Sequence, residues 1–302
     1  MCETCGGHGP GATHHGHTDH HGHGAGTRLV VVGKGGVGKS TVTALLARLS
    51  ARRGLQVVAV DADEQQNLAA TLGIGWEAAA GIVAVAADAD YVEEKTGARP
   101  GEGAGAMLRL NPDTADIVER RAVLGPDGVR LLVMGGVRQA GGGCLCPETA
   151  LIQAAVAGMH LHPEDVVLMD THAGVEHFGR SLARGFDAAV VVVDPTFNAV
   201  QVGLESSVLA DGLGIGTVHL VVNRTRSQDD VDRALAHMDR LGGFPFASTT
   251  VLPFDGMALE CEPAVDRLLE GSALAGAVAA LSRELLSQEV PAEVPGPVGV
   301  GA

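Results

Sequence analysis

The sequence predicts an α/β fold, a doubly wound and mostly parallel sheet with helices on both faces. Three observations carry that prediction. Seven short apolar, β-branched runs recur along the chain: RLVVVG (28–33), QVVAVDAD (56–63), VRLLVM (129–134), VVLMD (166–170), AAVVVVD (188–194), VHLVVN (218–223) and STTVLP (248–253). Runs that stay apolar throughout suit strands buried on both faces of a parallel sheet. Helical patterns separate several of them, and the first run opens into a glycine-rich turn that a helix follows.

Taken in order, STVTALLARLSARRG (40–54) has a helical pattern and ends on the glycine expected after a helix, and PETALIQAAVAG (147–158) starts with the Pro and Glu favoured in a first turn. The segment 76–128 is less regular, includes the loop EKTGARPGEGAGAM, and is expected to insert between the second and third runs. The first 23 residues hold seven histidines and two cysteines but no lysine, arginine or large aliphatic residue, so they have nothing to bury against the entropy of ordering. The closing SQEVPAEVPGPVGVGA is rich in Pro, Gly and Val without periodicity. The expected organisation is a disordered Cys/His-rich tail over 1–26, one folded domain over 27–286 and a disordered tail over 287–302.

Composition narrows the function. A chain of 302 residues with 46% hydrophobic content suits one large domain. Its formal net charge is −15 and its 21 basic residues are scattered, so no nucleic-acid partner is expected. One Trp and one Tyr leave little aromatic surface for stacking on bases. No run of about 18 apolar residues occurs and the start lacks the order of a secretory signal, which predicts a cytoplasmic protein with no membrane partner. Of the five cysteines, Cys2 and Cys5, and Cys144 and Cys146, form close pairs. In a reducing compartment such pairs point to metal or redox chemistry rather than disulfides.

GKGGVGKST (33–41) satisfies G-x-x-x-x-G-K-[ST] in the strand-then-helix context that the motif requires. The backbone N–H groups of Gly33, Lys34, Gly35, Gly36, Val37 and Gly38 can turn inward on a triphosphate, with Lys39 supplying charge to the β- and γ-phosphates. Ser40 is placed to ligate Mg²⁺, and Thr41 lies with it at a helix N-terminus that favours an anion. The domain over 27–286 is therefore expected to be a P-loop ATPase. GGGCLCPETA (141–150) sets Cys144 and Cys146 on a glycine-rich turn before a predicted helix, where thiolates are favoured. Two thiolates do not complete a four-coordinate site, whereas two chains related by a two-fold axis would supply four. Such a set suits Zn²⁺ or an iron–sulfur cluster, and can hold Ni²⁺ if it flattens; a pair of small buried residues is the plain alternative.

Lys34, the second lysine of the loop, resembles the one that marks the deviant Walker A loop of the nitrogenase iron protein and the septum-site-determining ATPases. There it reaches across a dimer interface to the partner's nucleotide, so the resemblance implies a homodimer that forms on ATP binding. VDADEQQN (60–67) resembles that class's switch I, implying that Asp63 orients the attacking water, with Asn67 as polar support and Asp61 behind them. DTHAG (170–174) resembles its Walker B and switch II element, implying that Asp170 holds Mg²⁺ and that Gly174 senses the γ-phosphate. Asn223 and Pro253 resemble its adenine-contacting positions. NRTR stands where a GTPase would have Asn-Lys-x-Asp, which favours ATP.

The stretches DYVEEKTGARPGEG, MLRLNPDTADI, GVRLLVMGGVRQAGGGCLCPETAL and MDTHAGVEHFGR are similar to those of the carbon monoxide dehydrogenase nickel-insertion ATPases, the CooC family, over roughly residues 28–285. The resemblance implies ATP-driven dimerisation, a shared metal site at Cys144 and Cys146, and delivery of nickel to a client nickel enzyme. It also places Glu176, His177 and Arg180 in the family's switch II stretch. The His-rich tail departs from that family, and MCETCG resembles the N-terminal Cys-x-x-Cys-Gly of hydrogenase nickel-incorporation GTPases, so the client is carbon monoxide dehydrogenase or a hydrogenase. Neutral imidazoles at His8, His14, His15, His17, His20, His21 and His23 can wrap Ni²⁺, and Cys2 and Cys5 can form a separate site. His160, His162, His219 and His237 read as single structural or solvent-facing residues, and Cys261 as a small buried one. An iron–sulfur scaffold or electron-transfer ATPase is the competing reading, and a positioning ATPase ranks last.

Overall fold

The structure, a computed structural model, describes residues 26–99, 109, 112–135, 151, 154–172 and 185–286. Eight strands form one sheet in the order β3-β4-β2-β5-β1-β6-β7-β8. They are β1 (Thr27–Val32), β2 (Gln56–Ala62), β3 (Val123–Leu124), β4 (Arg130–Val133), β5 (Asp165–Thr171), β6 (Ala188–Val193), β7 (Val218–Thr225) and β8 (Ser248–Pro253). Each pairing is parallel except that of β3 with β4. All seven apolar runs are strands, to within two residues at either end.

The helices are α1 (Lys39–Arg52), α2 (Leu68–Leu72), α3 (Trp76–Ala80), α4 (Ala89–Thr96), α5 (Ile117–Arg121), α6 (Phe197–Gly212), α7 (Gln228–Arg240), α8 (Met257–Glu260) and α9 (Ala273–Leu285). The segment 76–128 does insert between β2 and β4, and it carries α3, α4, α5 and β3. β3 has no counterpart among the predicted runs. It is two residues long, too short to show a period, and exists because Val123 and Leu124 pair with Leu131 and Arg130 across a tight turn at 126–128. Of the helix expected over 147–158, residues 151 and 154–157 are helical and the rest lie outside the described residues, as do both tails. Among the described residues no helix is long and apolar enough to cross a membrane.

Central strands β1 and β6 are almost wholly buried, with Val30, Val31, Val190 and Val191 at 1% exposure or less. That burial is the physical reason for their unbroken apolar runs. On one face α1 packs against α2 and α9, and Ser50 Oγ meets Ser282 Oγ at 2.9 Å.

One buried guanidinium fixes α1 to its surroundings. Arg48, 4% exposed, donates from Nε to Asp127 at 2.6 Å and from Nη1 to Asp266 at 2.6 Å and to the Leu72 carbonyl at 3.1 Å. It thereby ties α1 to the 126–128 turn, the end of α2 and the segment before α9. Arg52 reaches the same Asp127 carboxylate at 3.0 Å, but its side chain is 42% exposed. Removing one partner of a buried ion pair is costly, while exposed pairs contribute little. Arg48→Ala should therefore lower stability by about 2–4 kcal/mol in urea unfolding and Arg52→Ala by less than about 1 kcal/mol; equal losses would show that the Arg48 cluster is not the anchor described.

Candidate functional site

The carboxyl ends of β1, β2, β5 and β7 converge on one edge of the sheet, where open α/β folds form their crevice. The turn 33–38 leaves β1 through Gly33, whose φ is 144° and where a Cβ would stand 2.1 Å from the Val192 carbonyl oxygen. Only glycine permits that exit. The turn ends at Gly38, which precedes α1 without any side-chain cap, so the first N–H groups of α1 face the crevice. Asn223, at the end of β7, is buried and holds the turn from beside it. Its Nδ2 donates to the Val37 carbonyl at 2.8 Å, and its Oδ1 accepts from the Arg224 N–H at 2.9 Å.

Lys39 opens α1 and is 7% exposed. Its Nζ donates to the Lys34 carbonyl at 3.3 Å, across the base of the loop. Burial lowers its pKa, and the charges of Asp170 and Asp63 act against that shift. Asp170 lies on β5, paired in register with Val31 of β1 and Asp61 of β2. It is wholly buried and neither carboxylate oxygen has a hydrogen-bond partner. Burial pushes its pKa up to about 6; the Ser40 hydroxyl and the Lys39 charge draw it down, but no donor completes a bond. A buried carboxylate left so is costly, and a divalent cation is the partner its chemistry fits. Asp170, with the Ser40 hydroxyl beside it, is thus a seat suited to Mg²⁺ brought in with a nucleotide.

Asp61 does different work. Burial, then the charge of Asp170, push its pKa up to about 7, while its two oxygens accept from the Asp63 and Leu68 N–H groups at 3.0 Å each. Those bonds fold the loop 63–67 back over the crevice. Within it the Asp63 carboxylate accepts from the Gln65 N–H at 2.8 Å, and Asn67 Nδ2 donates to Gln65 Oε1 at 3.2 Å.

The resulting cleft has a volume of about 420 Å³ and is lined by Gly35, Gly36, Gly38, Lys39, Ser40 and Thr41 on one side and by Asp63, Gln65, Asn67 and His172 on the other. A smaller, shallow hollow adjoins it, bordered by Asn223, Pro253, Phe254, Asp255 and Leu259. Gly38, Thr41, Arg224 and Glu262 border both. The two together suit a polyphosphate continuous with a flat heterocycle. The structure thus brings Lys39, Ser40, Thr41, Asp63 and Asn67 to one cleft, with Asp170 buried beneath it, and Asn223 and Pro253 to the adjoining hollow; Lys34 stands half-buried at the mouth of the loop.

Sequence reasoning missed Gln65, His172, Arg224, Phe254, Asp255 and Glu262. The signal nearest to hand was NRTR: Arg224 holds φ 60°, an uncommon value for a side chain of its kind and one found where a functional edge demands it. Gly174, Glu176, His177 and Arg180 lie outside the described residues, as do Cys144, Cys146 and the tail positions Cys2, Cys5, His8, His14, His15, His17, His20, His21 and His23. Among the described residues no group of three His, Cys, Asp or Glu side chains is arranged to hold a metal ion. Cys261 is half-buried and packs against the core.

Residues 29–261 match the CobQ/CobB/MinD/ParA nucleotide binding domain family. The carbon monoxide dehydrogenase accessory protein CooC of Rhodospirillum rubrum is 37% identical over 238 residues, covering 78% of this chain and 89% of its own. An uncharacterized ATP-binding protein of Methanocaldococcus jannaschii is 32% identical over 225 residues, covering 72% of this chain and 85% of its own. A chain of the MinC:MinD cell division protein complex of Aquifex aeolicus superposes with a TM-score of 0.60 at 20% identity, over 88% of this chain and 98% of that one. The septum site-determining protein MinD of Pyrococcus horikoshii, complexed with Mg-ADP, gives 0.57 at 20% identity, over 86% and 95%. The solved structures speak to the fold, and the sequence relatives go further: this chain belongs to the CobQ/CobB/MinD/ParA nucleotide-binding family, as an ATPase of the CooC type.

Proposed function

We propose that the chain is an ATP-driven nickel metallochaperone that dimerises on nucleotide binding, holds its cargo at an inter-subunit Cys-x-Cys site and delivers it to a nickel enzyme. The observation that carries this reading is the 37% identity to a carbon monoxide dehydrogenase accessory protein in a chain whose described residues form a cleft suited to a nucleotide. Carbon monoxide dehydrogenase is accordingly the first client to test, and a hydrogenase the second, because of the MCETCG start.

In this reading the 33–38 backbone and Lys39 hold the β- and γ-phosphates of ATP, and Asn223 and Pro253 border the adenine. Asp170 and Ser40 hold Mg²⁺, which when bound offsets charge on the phosphate oxygens. Asp63 orients a water whose oxygen attacks the γ-phosphorus; the bond to the β–γ bridging oxygen breaks, and ADP and phosphate leave. Lys34 acts in trans on the partner's nucleotide. Closure of the dimer brings Cys144 and Cys146 of both chains together around Ni²⁺ or Zn²⁺, and hydrolysis lets them part. The tail histidines and Cys2 and Cys5 collect nickel as cargo, in the cytoplasm. The same four thiolates would suit an iron–sulfur cluster, and a brown anaerobic preparation with charge-transfer absorption would mark that scaffold instead.

Lys39→Ala should abolish tight ATP binding, whereas Asp63→Ala should keep binding and lose at least about 100-fold in turnover. Wild-type hydrolysis by Asp63→Ala in a phosphate-release assay would remove Asp63 from its role. In the Asp63→Ala background saturating ATP should double the mass seen by light scattering, and adding Lys34→Ala should reduce that shift; an unchanged mass with ATP counts against the dimer. For cargo, a chain starting near Gly26 should lose most multi-ion Ni²⁺ binding and keep about one ion per dimer, and Cys146→Ser should do the reverse. Tail binding should fall as pH drops below about 6, where free imidazole protonates. Equilibrium dialysis that counts as many ions in the shortened chain as in the full one would end the reservoir reading.

A further inference from the structure

His172 stands on the far wall of the polyphosphate cleft with Asp63, Gln65 and Asn67, and neither the Mg²⁺ seat nor the attacking water calls on it. β2 and β5 run parallel and in register up to their last paired residues, Ala62 and Thr171. Asp63 and His172 are therefore the next residue of each strand, and they leave the sheet side by side at the same level. Side chains alternate along a strand, so His172 returns to the face that carries Asp170, about 6–7 Å nearer the mouth of the cleft. There it lines the cleft together with Lys39, Ser40 and Thr41. The end of β5 that presents it is pinned, because Thr171 Oγ1 donates to the Val31 carbonyl of β1 at 2.8 Å.

What this position can do follows from charge. A triphosphate between the two walls would meet Lys39 and the N–H groups at the start of α1 on one side. The other side offers the Asp63 carboxylate, which repels phosphate oxygens, and the Gln65–Asn67 pair, in which Asn67 Nδ2 donates to Gln65 Oε1 at 3.2 Å. His172 brings to that wall a ring N–H, which even a neutral imidazole carries on one of its nitrogens. Among the described residues no group of three His, Cys, Asp or Glu side chains is arranged to hold a metal ion, so the chemistry this imidazole offers is that of a hydrogen-bond donor. Asp170 and Ser40 lie deeper, at the cation seat. A donor level with Asp63 meets the terminal phosphate instead, which is where ATP and ADP differ.

We infer that the His172 imidazole donates a hydrogen bond to a γ-phosphate oxygen and so sets the preference of the cleft for ATP over ADP. The inference rests on the reading that places the γ-phosphate beside Asp63. A hydrogen bond to a charged phosphate is among the stronger ones, and losing it costs about tenfold in affinity.

Calorimetric titration of the full chain with Mg²⁺ and either ADP or the non-hydrolysable AMP-PNP tests it. His172→Ala should weaken AMP-PNP about tenfold and ADP by less than about twofold. His172→Gln, which keeps an N–H donor near the reach of Nε2, should recover AMP-PNP affinity to within about threefold of the parent chain. Light scattering at saturating AMP-PNP should give His172→Ala the same mass as the parent, since the contact is made within one chain. Equal weakening of both nucleotides, a glutamine variant as weak as alanine, or a lower mass at saturation would each overturn the inference. Unchanged binding of both nucleotides by His172→Ala, while Asp63→Ala is inactive, overturns the His172 contact alone. Wild-type hydrolysis by Asp63→Ala removes the placement of the γ-phosphate, and the inference with it.

Discussion

The site is organised around one electrostatic constraint, a carboxylate buried at the end of β5 with no hydrogen bond to either oxygen. Burial pushes the pKa of Asp170 up to about 6, so its charge is held against a desolvation penalty. Lys39 supplies part of the compensation, and is itself destabilised as a cation by the same burial. Asp61, in register beside Asp170, adds a second carboxyl whose pKa burial and the Asp170 charge push up to about 7. Two acids and one lysine leave the pocket short of positive charge. A polyphosphate carrying a divalent cation has the chemistry that would close that deficit.

Arg48 gives this arrangement mechanical reach. The helix that begins at the phosphate loop is anchored two turns later to the end of α2 through the Leu72 carbonyl, and to Asp266. α2 follows directly from the Asp63–Asn67 loop, and the Val265 N–H donates to the Thr71 carbonyl at 3.0 Å. The loop that carries Asp63 and the segment that carries Glu262 therefore share one buried guanidinium. The phosphate turn and the segment carrying Glu262 are thus joined by a short packed route through α1 and α2.

Most of this was legible in the sequence wherever one local requirement fixed the residues. Strands buried on both faces need continuous apolar runs, and these were readable, as was the half-exposed edge strand β8; the phosphate turn needs glycine where Gly33 meets the Val192 carbonyl, and that too was readable. Long-range closure was not. Arg224 and Glu262 meet at the cleft only because the ends of β7 and α8 fold toward the turn, and no spacing in the sequence encodes that meeting. β3 depends on a two-residue ladder, too short for any period. That the turn holding His160 and His162 stands beside Gly26 was not readable either, because it follows from β5 running parallel to β1.

That polarity bears on how one chain could handle two kinds of cation. Borderline transition metals outcompete Mg²⁺ for most nitrogen and oxygen donor sets, so imidazoles rooted beside the triphosphate would carry the stronger-binding ion into the Mg²⁺ seat. Six residues of β1 separate Gly26 from the phosphate turn, roughly 20 Å at the rise of a strand. The root of the His-rich segment is therefore kept from the nucleotide by the thickness of the sheet itself.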